Sequence, residues 1–266
     1  MKRLVLTTLI VAISGFTAAC NDSAGAKATG DAGPAGSDAA SAKGCAYPDA
    51  AAYDPKIDPA KFSTTVDNPY FPLVPGTTFE SADADGNVNE FEVTTETKVI
   101  VGVTCLVIHD VAKTSTGDLI EDTHDWLAQD DQGNVWYFGE ETGEYQNGKV
   151  VTTAGSWTAG VDCAKPGIIM EAHPTPGDSY REEYYAGEAE DQADVLSVTE
   201  VVEVPYNTGD AATGTYTNCL KTKNYTALEP GNVENKWYCA GLGEVRSQEV
   251  KTVGGKVEEL VAITHK

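Results

Sequence analysis

Histidines with neighbouring carboxylates are the first residues in this sequence that suggest chemistry. Imidazole nitrogens and carboxylate oxygens are the usual ligands of zinc and related ions. The residues concerned are His109, Asp110, His124, Asp125, Glu171 and His173. Their spacing matches no diagnostic metal motif, and scattered histidines in an acidic chain are more often surface or hydrogen-bonded residues. No metal site is therefore assigned to the histidines.

Two acidic turns carry the oxygen ligands that Ca²⁺ prefers. One contains Asp83, Asp85, Asn87 and Glu90, and the other contains Asp130, Asp131 and Asn134. Neither matches the EF-hand loop, because Val88 stands where that loop needs glycine. Solvated hairpin turns explain the same residues. No cofactor is predicted apart from optional Ca²⁺, with Asp130, Asp131 and Asn134 as its ligands.

A carboxylate pair for hydrolysis is a further option. The segment 180–185 reads YREEYY, and Glu140 and Glu141 lie elsewhere in the chain. Two carboxyl groups flanked by aromatic rings are typical of glycoside hydrolases. The chain has 41 acidic residues, however, so finding two that could meet is not evidence for a catalytic pair. No G-x-S-x-G, S-x-x-K or H-E-x-x-H motif occurs, so no catalytic residue is assigned and a non-enzymatic role is favoured.

An aromatic hairpin is predicted between residues 122 and 145. Aromatic and β-branched residues on both sides fit strands, and the segment QDDQGN between them fits a tight turn. Its large aromatic side chains are Trp126, Trp136, Tyr137 and Phe138. They are either core residues or the lining of a ligand-binding concavity under the irregular 155–178 loop.

The N-terminal segment has the pattern of an export signal. Lys2 and Arg3 precede an apolar run, and small residues lead into Cys20. Ala19 followed by Cys20 resembles the lipobox of bacterial lipoproteins, whose cysteine becomes lipidated, although Thr17 replaces the favoured leucine. We therefore expect a signal peptide over 1–19, a lipidated Cys20 with a Gly/Ala/Ser-rich tether over 20–44, and a single β domain over 45–266. That places the domain in the cell envelope, periplasmic or at the cell surface, or secreted if Cys20 is not lipidated.

The net charge of the chain limits the classes of partner that it can bind. The formal net charge is −23, and loss of Lys2 and Arg3 with the signal peptide would make it −23 − 2 = −25. Nucleic acid is excluded as a partner, because binding it needs clustered Lys and Arg residues. The expected partners are the membrane, through the lipid anchor, and an apolar or small-molecule ligand.

Cysteine usage predicts disulfides, because an exported chain meets an oxidising compartment. If Cys20 is lipidated, five cysteines remain. Cys105 and Cys219 lie within apparent strands, whereas Cys163 and Cys239 lie beside small or turn-forming residues. We expect the pairs Cys105–Cys219 and Cys163–Cys239.

The pattern of short strands and turn signals predicts an all-β fold. It indicates one antiparallel curved sheet, forming a half-barrel, barrel or sandwich, with very little helix beyond a turn or two near 188–196. The segment 69–75, which contains three prolines, is expected to form an extended plug.

Two motifs carry a family resemblance. NPYFPLVPGTTFE and DWLAQDDQGNVWYFGEETGEY resemble an uncharacterised family of secreted or lipid-anchored bacterial β-proteins, which implies no activity. The first motif is also similar to envelope lipoproteins with a half-barrel sheet that holds apolar ligands. The function expected from the sequence is an exported, non-enzymatic lipoprotein that binds an apolar or small ligand; the alternatives are a Ca²⁺-dependent surface module and a carboxylate-dependent hydrolase.

Overall fold

Strands that alternate inward-facing and outward-facing residues make up most of the part of this protein that the structure describes. The computed structural model describes residues 53–204, 208–209, 214–251 and 253–266. The predicted signal peptide, Cys20 and the tether lie outside these residues. In the described part the strands are β1 (Phe62–Ser63), β2 (Thr77–Asp83), β3 (Val88–Ile100), β4 (Val103–Lys113), β5 (Leu119–Asp130), β6 (Val135–Gln146), β7 (Lys149–Thr152), β8 (Trp157–Thr158), β9 (Lys165–Met170), β10 (Ser179–Arg181), β11 (Glu183–Tyr184), β12 (Asp191–Val204), β13 (Thr208–Gly209), β14 (Gly214–Thr226), β15 (Val233–Cys239), β16 (Gly243–Glu249) and β17 (Val257–His265).

The strands form one sheet that curls into a nearly closed barrel. Neighbouring strands run β12–β14–β15–β16–β17–β2–β3–β4–β5–β6–β9, and β11 pairs with β9 while β10 pairs with β12. Among the described strands every pairing is antiparallel except the short β13–β17 contact. The prediction of an all-β fold built from one antiparallel curved sheet is thus confirmed.

Helix is limited, within the described residues, to a 3₁₀ turn at Pro59–Lys61. The expected helical turn near 188–196 was wrong. A bridge between Tyr185 and Ala189 closes a tight turn there, and β12 begins at Asp191. Side-chain burial that alternates along β12, with Ala193 and Val195 buried, favours a strand over a helix.

The predicted aromatic hairpin is formed by β5 and β6. Asp130 fixes its turn, because Oδ1 accepts hydrogen bonds from the backbone N–H groups of Gln132 and Asn134, each at 2.9 Å. Gly133 supplies the left-handed conformation, with φ of 94°. The turn therefore forms by the mechanism that its residue types predict.

The proline-containing segment before β2 packs into the barrel. Phe71 and Leu73 are buried, and the Phe71 ring contacts the rings of Phe91 and Tyr238 at centroid distances of 6.3 Å. Its backbone pairs with the chain only at isolated points, such as the bridge between Val66 and Leu73. Proline lacks the N–H group that a central strand needs, so the segment fills space without joining the sheet.

Acidic side chains occupy much of the interior. Asp110, Glu121, Asp125 and Glu140 on β4–β6 are each at most 3% exposed. Burial raises the pKa of Asp125 to about 7 and the pKa of Glu140 well above its ordinary value. The carboxyl groups of Asp125 and Glu140 are accordingly kept in the protonated form over much of the acidic pH range.

The disulfide pattern differs from the expected one. Cys219 on β14 is bonded to Cys239 on β15, with Cα atoms 4.4 Å apart. Cys105 is a free, buried thiol, and Cys163 is in a disulfide as well, although not with Cys239. The expected pairs Cys105–Cys219 and Cys163–Cys239 were wrong, because β14 and β15 are adjacent strands whose register places Cys219 opposite Cys239.

Candidate functional site

The four predicted lining residues do not share one cavity among the described residues. Tyr137 and Phe138 are fully buried in the core. Trp126 is covered by Lys98, whose Nζ lies 3.3 Å from the ring centroid, and it borders an opening beside Trp157. Trp136 alone borders a second opening on another side of β6.

This second opening, called the Arg181 opening below, has a volume of about 300 Å³. Its walls are the residues Tyr53, Pro55, Trp136, Ile168, Ser179, Tyr180, Arg181 and Gln192. Most of these side chains are aromatic or apolar, and Arg181 is the one cation among them. A mostly apolar concavity with few polar groups is the usual character of a small-molecule site.

Strand pairing sets the walls of the Arg181 opening. Trp136 on β6 lies opposite Ile168 on β9, and Arg181 on β10 lies opposite Gln192 on β12. Gly167 lets β9 approach the next strand closely, since a Cβ atom there would collide with the backbone carbonyl of Glu182. The close approach brings Trp136 and Arg181 to the same opening.

Arg181 is held by aromatic rings. Its guanidinium carbon lies 4.9 Å from the ring centroid of Tyr184 and 5.8 Å from that of Tyr53. The Tyr53 ring is itself anchored, because its hydroxyl donates a 2.8 Å hydrogen bond to the carbonyl of Pro166. Burial raises the pKa of Tyr53 to about 12, against an opposing effect of the Arg181 charge.

Arg181 has no carboxylate partner in the described residues, and its Nη1 is shielded from solvent without a hydrogen-bond acceptor. The other arginine of the barrel, Arg246, donates from Nε to Glu259 at 2.8 Å. In a chain with 41 acidic and 18 basic residues, an arginine without an ion pair is unexpected. A buried donor without a partner costs about 1–3 kcal/mol. The guanidinium is therefore suited to bind an anion, to which it can donate.

The two acidic residues that follow Arg181 in the chain, Glu182 and Glu183, form hydrogen bonds with other residues. Both carboxyl oxygens of Glu182 accept from Nδ2 of Asn224, at 2.8 and 2.9 Å, and Glu183 accepts from the indole N–H of Trp157 at 2.8 Å. Burial raises the pKa of Glu182 to about 7 and that of Glu183 well above its ordinary value. Neither carboxyl group therefore neutralises Arg181.

The same burial bears on the hydrolase alternative. Glu140, Glu182 and Glu183 are at most 5% exposed, and Glu141 alone of the four candidates is exposed. Carboxyl groups of a glycosidase must flank the scissile bond of a substrate. Glu140 and Glu141 line the opening of about 290 Å³ beside Trp126 and Trp157, but they are consecutive residues of β6 and only Glu141 is exposed; Glu182 and Glu183 do not border that opening.

The expected Ca²⁺ ligands have other partners. Besides its two backbone donors, Asp130 accepts from Nδ2 of Asn134 at 2.9 Å and from the indole N–H of Trp136 at 2.8 Å. Asp131 pairs with Lys61 at 3.1 Å, and Oδ1 of Asn134 accepts from the backbone of Ala172. In the other turn, Asp83 likewise accepts from Asn87 and pairs with Lys256 at 3.0 Å. The oxygen atoms are used to build the hairpin turns.

The histidine candidates separate into two groups. His109 and His124 stack on each other, with ring centroids 4.5 Å apart, and Asp122 lies beside both. Asp110 and Asp125 are buried, and His173 lies in an exposed loop away from this pair. Sequence reasoning named both histidines of the cluster but missed Asp122, and it named no role for Arg181.

Comparison with known proteins gives structural likenesses only. No protein-family model and no curated protein matches the chain. A candidate exported protein with a YmcC-like fold from Bacteroides fragilis is 16% identical, with a TM-score of 0.42 over 73% of this chain and 98% of that one. A candidate lipoprotein from Parabacteroides distasonis is 12% identical, with a TM-score of 0.38 over the same shares. Both likenesses are too distant to carry a functional argument.

A membrane span is not found in the described part of the chain, where no helix has the length and apolar character needed to cross a bilayer.

Proposed function

We propose that this protein is an exported, lipid-anchored, non-enzymatic module that binds a small organic carboxylate in the Arg181 opening. The observation that carries the proposal is the guanidinium of Arg181, held between aromatic rings beside a cavity of about 300 Å³ and without a carboxylate partner in the described residues. The predicted aromatic lining contributes one residue to the site, Trp136.

A carboxylate is favoured by the shape and the charge of the site. The planar guanidinium matches a carboxylate or a phosphate, with which it forms paired charge-assisted hydrogen bonds. The formal charge of −23 repels an anion in proportion to its charge, so a monoanionic carboxylate is favoured over a phosphate. The rings of Trp136 and Tyr180 provide apolar walls, which suit a ligand with an aromatic or aliphatic body.

Export and anchoring are supported by the sequence. The basic residues Lys2 and Arg3, the apolar run after them and the small residues before Cys20 form the pattern of a bacterial lipoprotein signal. A Gly/Ala/Ser-rich tether over 20–44 would have a reach of about 27 Å, enough to hold the barrel clear of the lipid head groups. The intact mass of protein purified from a bacterial membrane fraction should include the acyl chains on Cys20, and a mass without them would contradict anchoring.

The binding test uses saturation-transfer NMR with phenylacetate and its neutral analogue phenylacetamide. Phenylacetate should bind, and Arg181→Gln should weaken it by about 10- to 100-fold, since a hydrogen bond to a charged group contributes about 1.5–3 kcal/mol. Trp136→Ala should also weaken binding through loss of an apolar wall. Phenylacetamide should bind more weakly than phenylacetate.

Arg246→Gln is the matched control, because it removes the other arginine of the barrel, which is paired with Glu259. It should leave phenylacetate binding unchanged. Melting curves of each variant separate loss of the site from loss of the fold. Equal binding of phenylacetate to the native protein and to folded Arg181→Gln would contradict the assignment.

A further inference from the structure

The stacked histidine pair lies on the outer face of two adjacent strands. His109 on β4 is directly opposite His124 on β5, and Asp122 is two residues before His124 on the same face. Glu121 and Thr123, which alternate with Asp122 and His124 along β5, are buried, so Asp122 and His124 point outward. Strand alternation and register together place two imidazoles and one carboxylate side by side.

The ligand atoms of this cluster are close enough to share one ion. Single ligand atoms of His109, Asp122 and His124 all lie within 4.8 Å of one another. Nε2 of His109 is 2.9 Å from Oδ1 of Asp122, and Nδ1 of His124 is 3.9 Å from the same oxygen. Tetrahedral bonds of about 2.0–2.1 Å place zinc ligands about 3.3 Å apart, so small side-chain rotations are sufficient.

The cluster is accessible and weakly committed to other contacts. The side chains of His109, Asp122 and His124 are 35%, 33% and 47% exposed. In the part of the chain that the structure describes, the His124 ring makes no hydrogen bond within 3.5 Å, and its contacts are the stacked His109 ring and Asp122. Both histidines border a surface groove of about 480 Å³. An ion can therefore enter from solvent.

A fourth ligand is available on the next strand. Glu141 on β6 lies directly opposite His124, is exposed, and has no ion pair in the described residues. Glu92, opposite His109 on β3, is instead paired with Lys266 at 2.6 Å. Residues directly opposed on antiparallel strands have Cβ atoms about 4.5–5.5 Å apart, which brings the Glu141 carboxylate within reach.

The donor set selects the class of ion. Two imidazole nitrogens and one or two carboxylates suit zinc and neighbouring divalent transition ions, whereas Ca²⁺ and Mg²⁺ prefer oxygen ligands alone. The negative charge of the chain also raises the local concentration of cations. We propose that His109, Asp122 and His124, with Glu141 as the fourth ligand, form a binding site for a divalent transition-metal ion such as Zn²⁺.

The test is calorimetric titration of Zn²⁺ into full-length protein purified without a histidine tag and stripped with a chelator. Excess Ca²⁺ in the buffer occupies non-specific acidic sites. One equivalent of Zn²⁺ should bind and raise the melting temperature, as expected for a ligand that binds only the folded state. His124→Ala should weaken this binding by more than the 10- to 100-fold that loss of an outer-shell partner costs.

His173→Ala is the matched control, since it removes an exposed histidine outside the cluster. It should retain the Zn²⁺ site. Asp122→Asn provides a second, milder variant that should weaken binding while keeping the fold. Equal Zn²⁺ binding by His124→Ala and the native protein, or loss of binding when Ca²⁺ is present, would overturn the proposal. Because the groove is distinct from the Arg181 opening, His124→Ala should leave phenylacetate binding unchanged.

Discussion

Lys236 is a cation enclosed by carboxyl groups. Its side chain is 7% exposed, and Nζ lies 3.8 Å from Oε2 of Glu234. Burial alone would lower the pKa of Lys236, but the charges of Glu244, Glu234 and other carboxyl groups raise it above its ordinary value. In turn, burial raises the pKa of Glu234 to about 7 although Lys236 opposes the rise. Lys236 thus stays charged, and it stabilises whichever neighbouring carboxyl group ionises.

Replacing Lys236 with methionine should destabilise the protein most at alkaline pH. Breaking a buried ion pair by removing one partner costs about 3–5 kcal/mol, because the remaining charge is left without compensation. At pH 5 the surrounding carboxyl groups are protonated, so the substitution should lower the free energy of unfolding by less than at pH 8. Urea unfolding at pH 8 and pH 5 measures the difference, with exposed Lys149→Met as control. An equal cost of Lys236→Met at both pH values would show that lost packing, and not lost charge, is responsible.

Among the secondary-structure elements, the segment formed by β10 and β11 closes the barrel. Its first part pairs with β12 and its second part pairs with β9, with Glu182 at the junction. Gly167 on β9 faces this junction, where a Cβ atom would meet the carbonyl groups of Glu182 and Arg181. The segment also carries Arg181, so barrel closure and the geometry of the Arg181 opening depend on the same contact.

Gly167→Ala should therefore lower both stability and ligand binding. Overpacking against backbone atoms costs about 1–3 kcal/mol, because the strands must separate to admit the methyl group. Gly231→Ala is the control, since a Cβ atom there would meet nothing within 4 Å. Thermal melting and phenylacetate binding should change for Gly167→Ala and stay near native values for Gly231→Ala. A native melting temperature for Gly167→Ala would mean that β9 is not held against Glu182.

The elements that the sequence predicts well are those with local signals. Asp130, Gly133 and Asn134 form a turn through contacts within a few residues, so the β5–β6 hairpin is predictable. The pairing of Cys219 with Cys239 depends on the register of two strands, which the spacing of cysteines does not reveal. This is why the expected disulfides were wrong. Strand β9, which contains Pro166 and Gly167, was likewise missed within a segment read as a loop.

The candidate sites were harder to predict for the same reason. His109 and His124 are 15 residues apart, and only the β4–β5 register makes them neighbours of Asp122. No motif in the sequence around Arg181 marks it as a binding residue. It stands out only in the folded protein, where it has no ion pair among the described residues and lies between aromatic rings. Of the predicted aromatic lining, Tyr137 and Phe138 have the same residue types whether they fill a core or face a ligand. Burial, and not type, decides between these roles.

For the whole molecule, the buried carboxyl groups couple folding to protons. Burial raises the pKa of eight of them, and the charges of neighbouring carboxyl groups add to the rise at several positions. The values are about 6 for Asp191, about 7 for Asp125, Glu182 and Glu234, and about 8 for Glu244, while Asp110, Glu140 and Glu183 are raised well above their ordinary range. In the unfolded chain the same groups ionise near their ordinary pKa of about 4.

The protein should consequently be more stable at pH 5 than at pH 8. Between these values the folded state binds more protons than the unfolded state, so the free energy of unfolding falls as pH rises, by about 1.4 kcal/mol per pH unit for each extra proton held. Urea midpoints measured from pH 5 to pH 8.5 should decrease steadily. Asp125→Asn should make this decrease less steep by removing one raised pKa, whereas exposed Glu188→Gln should not change it. Midpoints that stay constant or rise towards pH 8 would mean that water or cations reach the interior and keep these carboxylates ionised in the folded barrel.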